Sequence, residues 1–524
     1  MKTCAIPGKD NPSVNTLTLS EASASLVNDW ARGYESQPEE HTFWIEHVEG
    51  HIPVELHGTL YRNGPGLLDI GGHPVHHPFD GDGMVVALSF RDGRAYYRNR
   101  FVRTEGFLAE QRAGRPLFRG VFGTQRPGGW LANAFDLRLK NVANTGVLPW
   151  ADRLLALWEA GEPYRLDPLT LDTCGLDRLD GVLRPGDAFA AHYHIDPASA
   201  WDDGAPTLVN FGLKPGPSST LTLYEFDPTF RLIRRNAFEI DRFAFLHDVA
   251  ITPRFAIFIQ NPVRYDALPY ALGLQSAAQG LASQPDRPST IIVLPRHPGA
   301  GAPRTFRAPN GFVWHHANAF EDGDDLVIDS IWYDSYVGID PRTNFRRIDF
   351  AALPPGKFTR TTLNARSGTV QCQVIDQRAC EFPVVHPAKV GRPYRYVYLA
   401  AADAPAGNGP LQAIWKLDLE SGAQEVWSAA PRGFVSEPIF VPRPQSPAVA
   451  GAVSPDSGDP TRNSSPTEDD GWLLALVYDA ARHESDLVIL DARRPAGGPL
   501  ARLCLGHHIP HGLHGAFTSR VYFP

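Results

Sequence analysis

The chain has 524 residues, 43% of them hydrophobic and 20% charged, with a net charge of −9 at neutral pH. That balance supports a large buried core and excludes wholesale disorder, and the acidic charge without any Lys/Arg run argues against nucleic acid as a partner. The five cysteines, Cys4, Cys174, Cys372, Cys380 and Cys504, are odd in number and lack C-x-x-C spacing, which reads as reduced thiols rather than a disulfide framework or a thiolate zinc site.

In chain order, residues 1–40 form a lead-in. Its start has no apolar core of the signal-peptide kind, and no window approaches the ~20 apolar residues of a bilayer span, so a cytoplasmic protein, neither exported nor integral, is expected. The stretch SEASASLVNDWARGY predicts a helix with Ser20 as its cap. Short alternating strands punctuated by Gly, Pro and Asp-Gly follow, among them GRAYYRNRFVRTEG, RLLALWEAGEPYRLDP, TLVNFGLK, RFAIFIQNP, TIIVLPR, RYVYLAAA, AIWKLDLESGAQEVW, WLLALVYDAA and DLVILDA. Gly and Pro number 47 each and helical periodicity is rare, which favours a closed all-β fold over any βαβ arrangement. A barrel of this length would be very large, so a single β-propeller domain over 1–524 is expected. No WD or kelch repeat marks the blades. Residues 442–471, rich in Pro, Ser, Gly and Asp, read as a flexible excursion between two strands.

Four histidine-bearing stretches stand out: AHYHIDP (His192, His194), FLHDVAITPRFAIF (His247), WHHANAFE (His315, His316) and HHIPHGLHGAF (His507, His508, His511, His514). A single buried histidine is more often a hydrogen-bonded core residue than a ligand. Four on well-separated segments can converge only where distant strands meet; a propeller axis is such a place, and neutral imidazoles there suit a divalent transition metal. The segment WHHANAFEDGDDLVID reads as two strands joined at an Asp-Gly turn. Successive side chains on a strand point to opposite faces, so at most one of His315 and His316 looks inward.

The motifs LYRNGPG, HPFDGDGM, NRFVRTEGF, VFGTQRPGGWLAN, LALWEAGEPYRLDP, HDVAITP, HHANAFE, CEFPVVHPAKVGRPYRY, APRGFVSEPIFVPRP and HGLHGAF run in order over nearly the whole chain. In them the sequence resembles the carotenoid cleavage oxygenases, and within that family the apocarotenoid oxygenases of cyanobacterial type. The resemblance implies a seven-bladed propeller, with loops and short helices capping a four-histidine iron(II) on the axis and dioxygen as co-substrate. It selects His192, His247, His315 and His514 as ligands, with His194 a competing candidate beside His192. It also implies three carboxylates behind the ligands: Glu159 on His247, Glu381 on His315 and Glu437 on His514, leaving His192 without one. The implied activity is oxidative cleavage of a conjugated double bond in a β-apo-carotenal or related alcohol to two carbonyl products, one of them retinal.

Aromatic residues adjoin these motifs, and Phe79, Trp158, Phe245, Trp314 and Phe382 are the candidate walls of an apolar polyene tunnel. Two further segments, with Phe122, Trp130, Leu131, Leu268, Tyr270, Leu272 and Leu274 expected to be exposed, match the family's apolar entrance and imply peripheral membrane contact. No obligate protein partner is inferred. The competing readings are stilbene cleavage, a member that binds or isomerises polyenes without cutting them, a propeller acting as an interaction scaffold, and a calcium or zinc hydrolase propeller. Against the last of these, a calcium site would want carboxylate or carbonyl oxygens at the axis.

Overall fold

The computed structural model describes residues 21–199, 202–336, 344–444 and 467–523. Ser20, the expected helix cap, and most of the Pro/Ser-rich excursion, residues 445–466, lie outside the described residues. The lead-in forms the helix Glu21–Arg32.

Beyond it the chain is mostly β, in antiparallel sheets that follow one another along the sequence. The strands Gly146–Trp150, Arg153–Leu157, Tyr164–Leu166 and Thr173–Leu176 form one meander. The next runs from His194–Asp196 to Leu232–Ile240, and the third from Ala250–Ile251 to Arg304–Ala308. A seven-stranded sheet spans Phe312–Asp322 to Gln424–Ser428, with the 15-residue strand Val370–Val384 at its centre. Such meanders arise because short strands with turn residues at each end pair locally before anything distant. One example is the hairpin at Asp322↔Asp325, where Gly323 takes φ 59°, a left-handed conformation that costs other residues more.

Two pairings join the ends of the chain. The strand Gly515–Thr518 completes the first sheet beside Gly58–Leu67, with Arg62 opposite Gly515, and Val48–Gly50 pairs with Pro499–Cys504 in the last. Close approach there demands glycine: a Cβ on Gly64 of LYRNGPG would lie 2.5 Å from the Gly512 Cα of HGLHGAF. Between neighbouring sheets the inward side chains interdigitate. Leu60, Leu88 and Phe90 of the first sheet meet Trp472, Leu474 and Leu487 of the last, and burial stabilises by about 1.5–3 kcal/mol for each such Leu or Phe.

The N-terminal helix docks on this closure. His511 Nε2 donates to the Trp30 carbonyl at 3.1 Å, and its ring lies 4.8 Å from that of Tyr34. His507 donates from Nδ1 to the Leu505 carbonyl and meets the Tyr97 hydroxyl through Nε2. Burial is the main cause that lowers both rings to a pKa of about 4. The fold therefore favours their neutral forms, whose contribution is complete above the ordinary value of 6.5 and is lost as the pH falls from there toward 4. The thermal unfolding midpoint, followed by circular dichroism, is expected to decline across that window. His511→Gln should make the decline shallower.

Candidate metal centre

The rings of His192, His247, His315 and His514 converge. His192 is 4.3, 5.0 and 4.4 Å from His247, His315 and His514, ring centre to ring centre, and His315 is 5.1 and 5.0 Å from His247 and His514. Ligand atoms of His192, His247 and His315 lie within 4.8 Å of one another. Each ring sits on or next to the edge strand of a different sheet: two residues before His194–Asp196, three before Ala250–Ile251, within Phe312–Asp322 and immediately before Gly515–Thr518. At His315 the pairing with Asp325–Tyr333 slips twice, between Val313 and His316 and again between His316 and Asn318. Bulges of this kind re-aim a side chain.

Three carboxylates back the rings. Glu159 accepts from His247 Nδ1 at 3.0 Å, Glu381 from His315 Nδ1 at 2.5 Å, and Glu437 from His514 Nδ1 at 3.0 Å. With Nδ1 committed in this way, each of these rings has Nε2 left to offer. The Nε2 atoms of His192 and His315 are buried and have no hydrogen-bond partner among the described residues, an arrangement that costs free energy unless something coordinates them. The donor set of neutral nitrogens with carboxylate support fits a divalent transition metal.

Electrostatics follow the same division. Burial, reinforced by the neighbouring rings, drives the His192 pKa far below 6.5, so this ring is neutral. Burial also opposes charge on His315, but the Glu381 carboxylate outweighs it and raises the pKa; at His514 burial wins over Glu437 and lowers it. Burial would raise Glu381 and Glu437, yet their histidine partners and further donors hold both below the usual carboxylate value.

The competing histidines are occupied elsewhere. His194 Nε2 lies 3.5 Å from Asp248 Oδ1. His316 turns the other way, its Nδ1 2.7 Å from the Ser330 hydroxyl, while its backbone N–H donates to Asp248 Oδ2 at 2.8 Å. Asp248 is thus a buried tie between three segments. Neither it nor two other supporting residues was singled out from sequence: Tyr333 donates its hydroxyl to Glu381 Oε1 at 2.7 Å, and buried Arg62 donates to Glu437 Oε2 at 2.8 Å. Arg62 and Asp248 did fall inside quoted motifs, and a charge inside an apolar strand was the available signal. Tyr333 carried none.

The five candidate wall residues separate into layers. Trp314 packs edge-on against His247 at 4.6 Å, and Phe382 stacks on His315 at 5.6 Å and meets His514 at 5.3 Å. Phe382 holds φ 52°, a strained conformation for a bulky residue, and its N–H donates to Glu381 Oε2. Phe245 stands behind Trp314 with Phe312 and Tyr336. Phe79 and Trp158 share a small separate cavity, where Phe79 meets Phe122 at 5.2 Å. A cavity of about 650 Å³ opens against His192, His315, His514 and Phe382. Its other walls include Val147, Trp150, Tyr193, Ile195, Val384, Phe440 and Phe517, whereas Phe245 and Trp314 do not line it.

The two expected entrance segments meet. Their short helices, Gly129–Asn133 and Ala267–Ala271, are joined by the Phe135 N–H to the Ala271 carbonyl, and fully buried Arg119 donates to the carbonyls of Asn133, Asp136, Tyr270 and Gln275. Trp130, Leu131, Leu268 and Leu274 are exposed, as are Phe135 (79%) and Leu137 (59%), which sequence reading omitted. Three expectations need correction. Tyr270 is buried beneath the Arg119 guanidinium, which lies 4.1 Å above its ring. Phe122 is half-buried against Phe79 and His77, and half-buried Leu272 closes the end of its own helix through N–H bonds to Leu268 and Tyr270. Among the described residues no helix is long and apolar enough to cross a membrane.

The family described as retinal pigment epithelial membrane protein matches residues 34–519. The apocarotenoid-15,15'-oxygenase of Synechocystis sp. is 52% identical over 492 residues, 94% of this chain and 96% of its own. The crystal structure of the cobalt-substituted Synechocystis apocarotenoid oxygenase superposes with a TM-score of 0.89 at 51% identity, covering 94% of this chain and 98% of that one. Lignostilbene-α,β-dioxygenase isozyme III of Sphingomonas paucimobilis is 29% identical over 91% of this chain and 94% of its own. On the family match and these identities over almost the full chain, the protein belongs to the retinal pigment epithelial membrane protein family and is an oxygenase.

Proposed function

We propose that His192, His247, His315 and His514 hold one iron(II), and that the enzyme cleaves a conjugated double bond of an apocarotenoid, a β-apo-carotenal or the related alcohol, to two carbonyl products including retinal. The observation that carries this reading is the convergence of four rings from four separate sheets, three of them backed by carboxylates at Nδ1. Iron(II) in such a set supplies the redox chemistry that lets dioxygen react with a closed-shell alkene, which zinc with the same ligands does not. Glu159, Glu381 and Glu437 hold the Nδ1 protons, fixing each ring's tautomer and direction. Trp314 and Phe382 exclude water beside the rings, and their π faces favour positive charge developing along a polyene. Phe245 backs Trp314, while Phe79 and Trp158 line a small cavity of their own. No general base is assigned.

The architecture we infer is a seven-bladed propeller. Counting the long sheet as two units that share Val370–Val384, the larger sheets make seven, and each brings one residue to the centre: Glu159, His192, His247, His315, Glu381, Glu437 and His514 in chain order. Short helices and loops, including the two joined by Arg119, form the cap. Trp130, Leu131, Leu268 and Leu274, joined by Phe135 and Leu137, form a peripheral membrane contact through which a lipophilic polyene enters a cytoplasmic protein, with Leu272 and Phe122 behind them.

Iron-loaded protein given a β-apo-carotenal under oxygen should lose the long-wavelength polyene absorption and yield retinal by chromatography, with no loss under argon. Turnover of stilbenes alone would favour the second reading, to which the 29%-identical lignostilbene enzyme points. Glu381→Gln should lower iron occupancy or turnover about 10–100-fold, measured by elemental analysis and initial rates. His192→Ala should abolish iron binding and His194→Ala should retain it. Leu268→Ser with Leu274→Ser should reduce recovery on phosphatidylcholine liposomes.

A further inference from the structure

Beside the apolar face, and separate from the histidine centre, lies a cavity of about 440 Å³ lined by Arg242, Arg264, Arg287 and Arg307. Phe243 and Tyr265 form one wall, their rings stacked 5.2 Å apart at 22°. No carboxylate lines it. Arg242 pairs with its own exposed neighbour Asp241 at 3.3 Å; among the described residues, the guanidinium groups of Arg264, Arg287 and Arg307 have neither an ion-pair nor a hydrogen-bond partner.

The frame is fixed even though the arginine tips are exposed. Gln284 N–H donates to the Pro262 carbonyl at 2.7 Å, and Asn310 Nδ2 donates to the carbonyls of Gln284 and Arg287 at 2.9 and 2.5 Å. The strand Val263–Tyr265, which carries Arg264, pairs with Leu281–Ser283. Folding thus brings three unpaired guanidinium groups, with Arg242 beside them, to one concavity on a rigid scaffold, an arrangement that repels itself until an anion is taken up. Guanidinium forks match the oxygens of phosphate bidentately, which a monoatomic anion cannot offer.

Position identifies the source of that anion. Tyr265 is followed directly by Asp266 and the helix Ala267–Ala271, so the cavity adjoins exposed Leu268. We propose that this cavity binds a phosphate group, and that the group is the headgroup of a membrane phospholipid, held while the neighbouring leucines enter the acyl region. The lipid source rests on the reading of the apolar face as a membrane contact; the phosphate site does not.

The test uses iron-loaded full-length protein at low salt, with vesicles of phosphatidylcholine alone or doped with phosphatidic acid, and inorganic phosphate titrated calorimetrically. The expected result is stronger partitioning onto the doped vesicles and measurable phosphate binding. A combined Arg264→Gln, Arg287→Gln, Arg307→Gln variant should lose both, by roughly fivefold in partition per arginine, while keeping its recovery on phosphatidylcholine and its turnover of detergent-dispersed substrate. Removing the same charge elsewhere, by Arg184→Gln, Arg494→Gln and Arg520→Gln, should change neither. Equal partitioning onto both vesicles with no phosphate heat overturns the proposal. Arginine-dependent phosphate binding without vesicle preference upholds the phosphate site and overturns its lipid source. If Leu268→Ser with Leu274→Ser leaves phosphatidylcholine recovery unchanged while the phosphate binding persists, the membrane-contact reading falls and the phosphate site stands.

Discussion

A β-strand can present only one of two neighbouring side chains to any given point, because its side chains alternate between faces. Adjacent histidines such as His315 and His316 therefore cannot both reach one centre, and in this protein the four imidazoles come from four sheets that meet. The rest of the architecture follows from that requirement. The sheets run outward as local meanders, each sending one residue inward at or near its edge strand. The ends of the chain pair with each other, Gly515–Thr518 against Gly58–Leu67 and Val48–Gly50 against Pro499–Cys504, which brings His514 to the same point as His192. Exposed strand edges are ordinarily a liability. Here the inner edges face one another and carry the four histidines.

Gathering seven polar side chains in a dry interior is costly unless each is paired. The pairing is nearly complete. Glu381 accepts from His315, Tyr333 and the Phe382 N–H, and Glu437 from His514, Arg62 and the Gly515 N–H. Asp248 ties the strands that follow His192, His247 and His315. Among the described residues, the buried Nε2 atoms of His192 and His315 at the centre have no partner, nor does the Nε of Arg62 behind Glu437.

The apolar face and the arginine cavity beside it obey different physics. There the backbone is held by Arg119 and the short Val263–Tyr265 hairpin, so large apolar and cationic side chains stand in solvent on a rigid frame. Apolar area and positive charge side by side suit an interface with anionic headgroups over acyl chains, and neither contributes to the polar network at the axis.

Much of this was legible without coordinates. Alternating runs and turn residues identify an all-β chain, and the family resemblance carried by the motifs implies the set of histidines and glutamates that converges. Local spacing also limits WHHANAFE to one inward histidine, since that follows from strand geometry alone. It does not say which. Two irregularities in the pairing of Phe312–Asp322, together with Ser330 and Asp248 waiting on the other side, turn His315 inward and His316 away. Likewise Tyr270 reads as an exposed aromatic in a loop sequence, but the buried guanidinium of Arg119, 151 residues earlier, draws it inside. Tyr333 reads as a strand residue and becomes a partner of Glu381 only when Asp325–Tyr333 and Val370–Val384 pack together. Sequence by itself determined the strand-rich class and, through the family resemblance, the candidate ligands, because these depend on residue type, local periodicity and motif content. Which ring points inward, which charges are paired and where four arginines gather were decided by tertiary structure, because they depend on contacts between segments far apart in the chain.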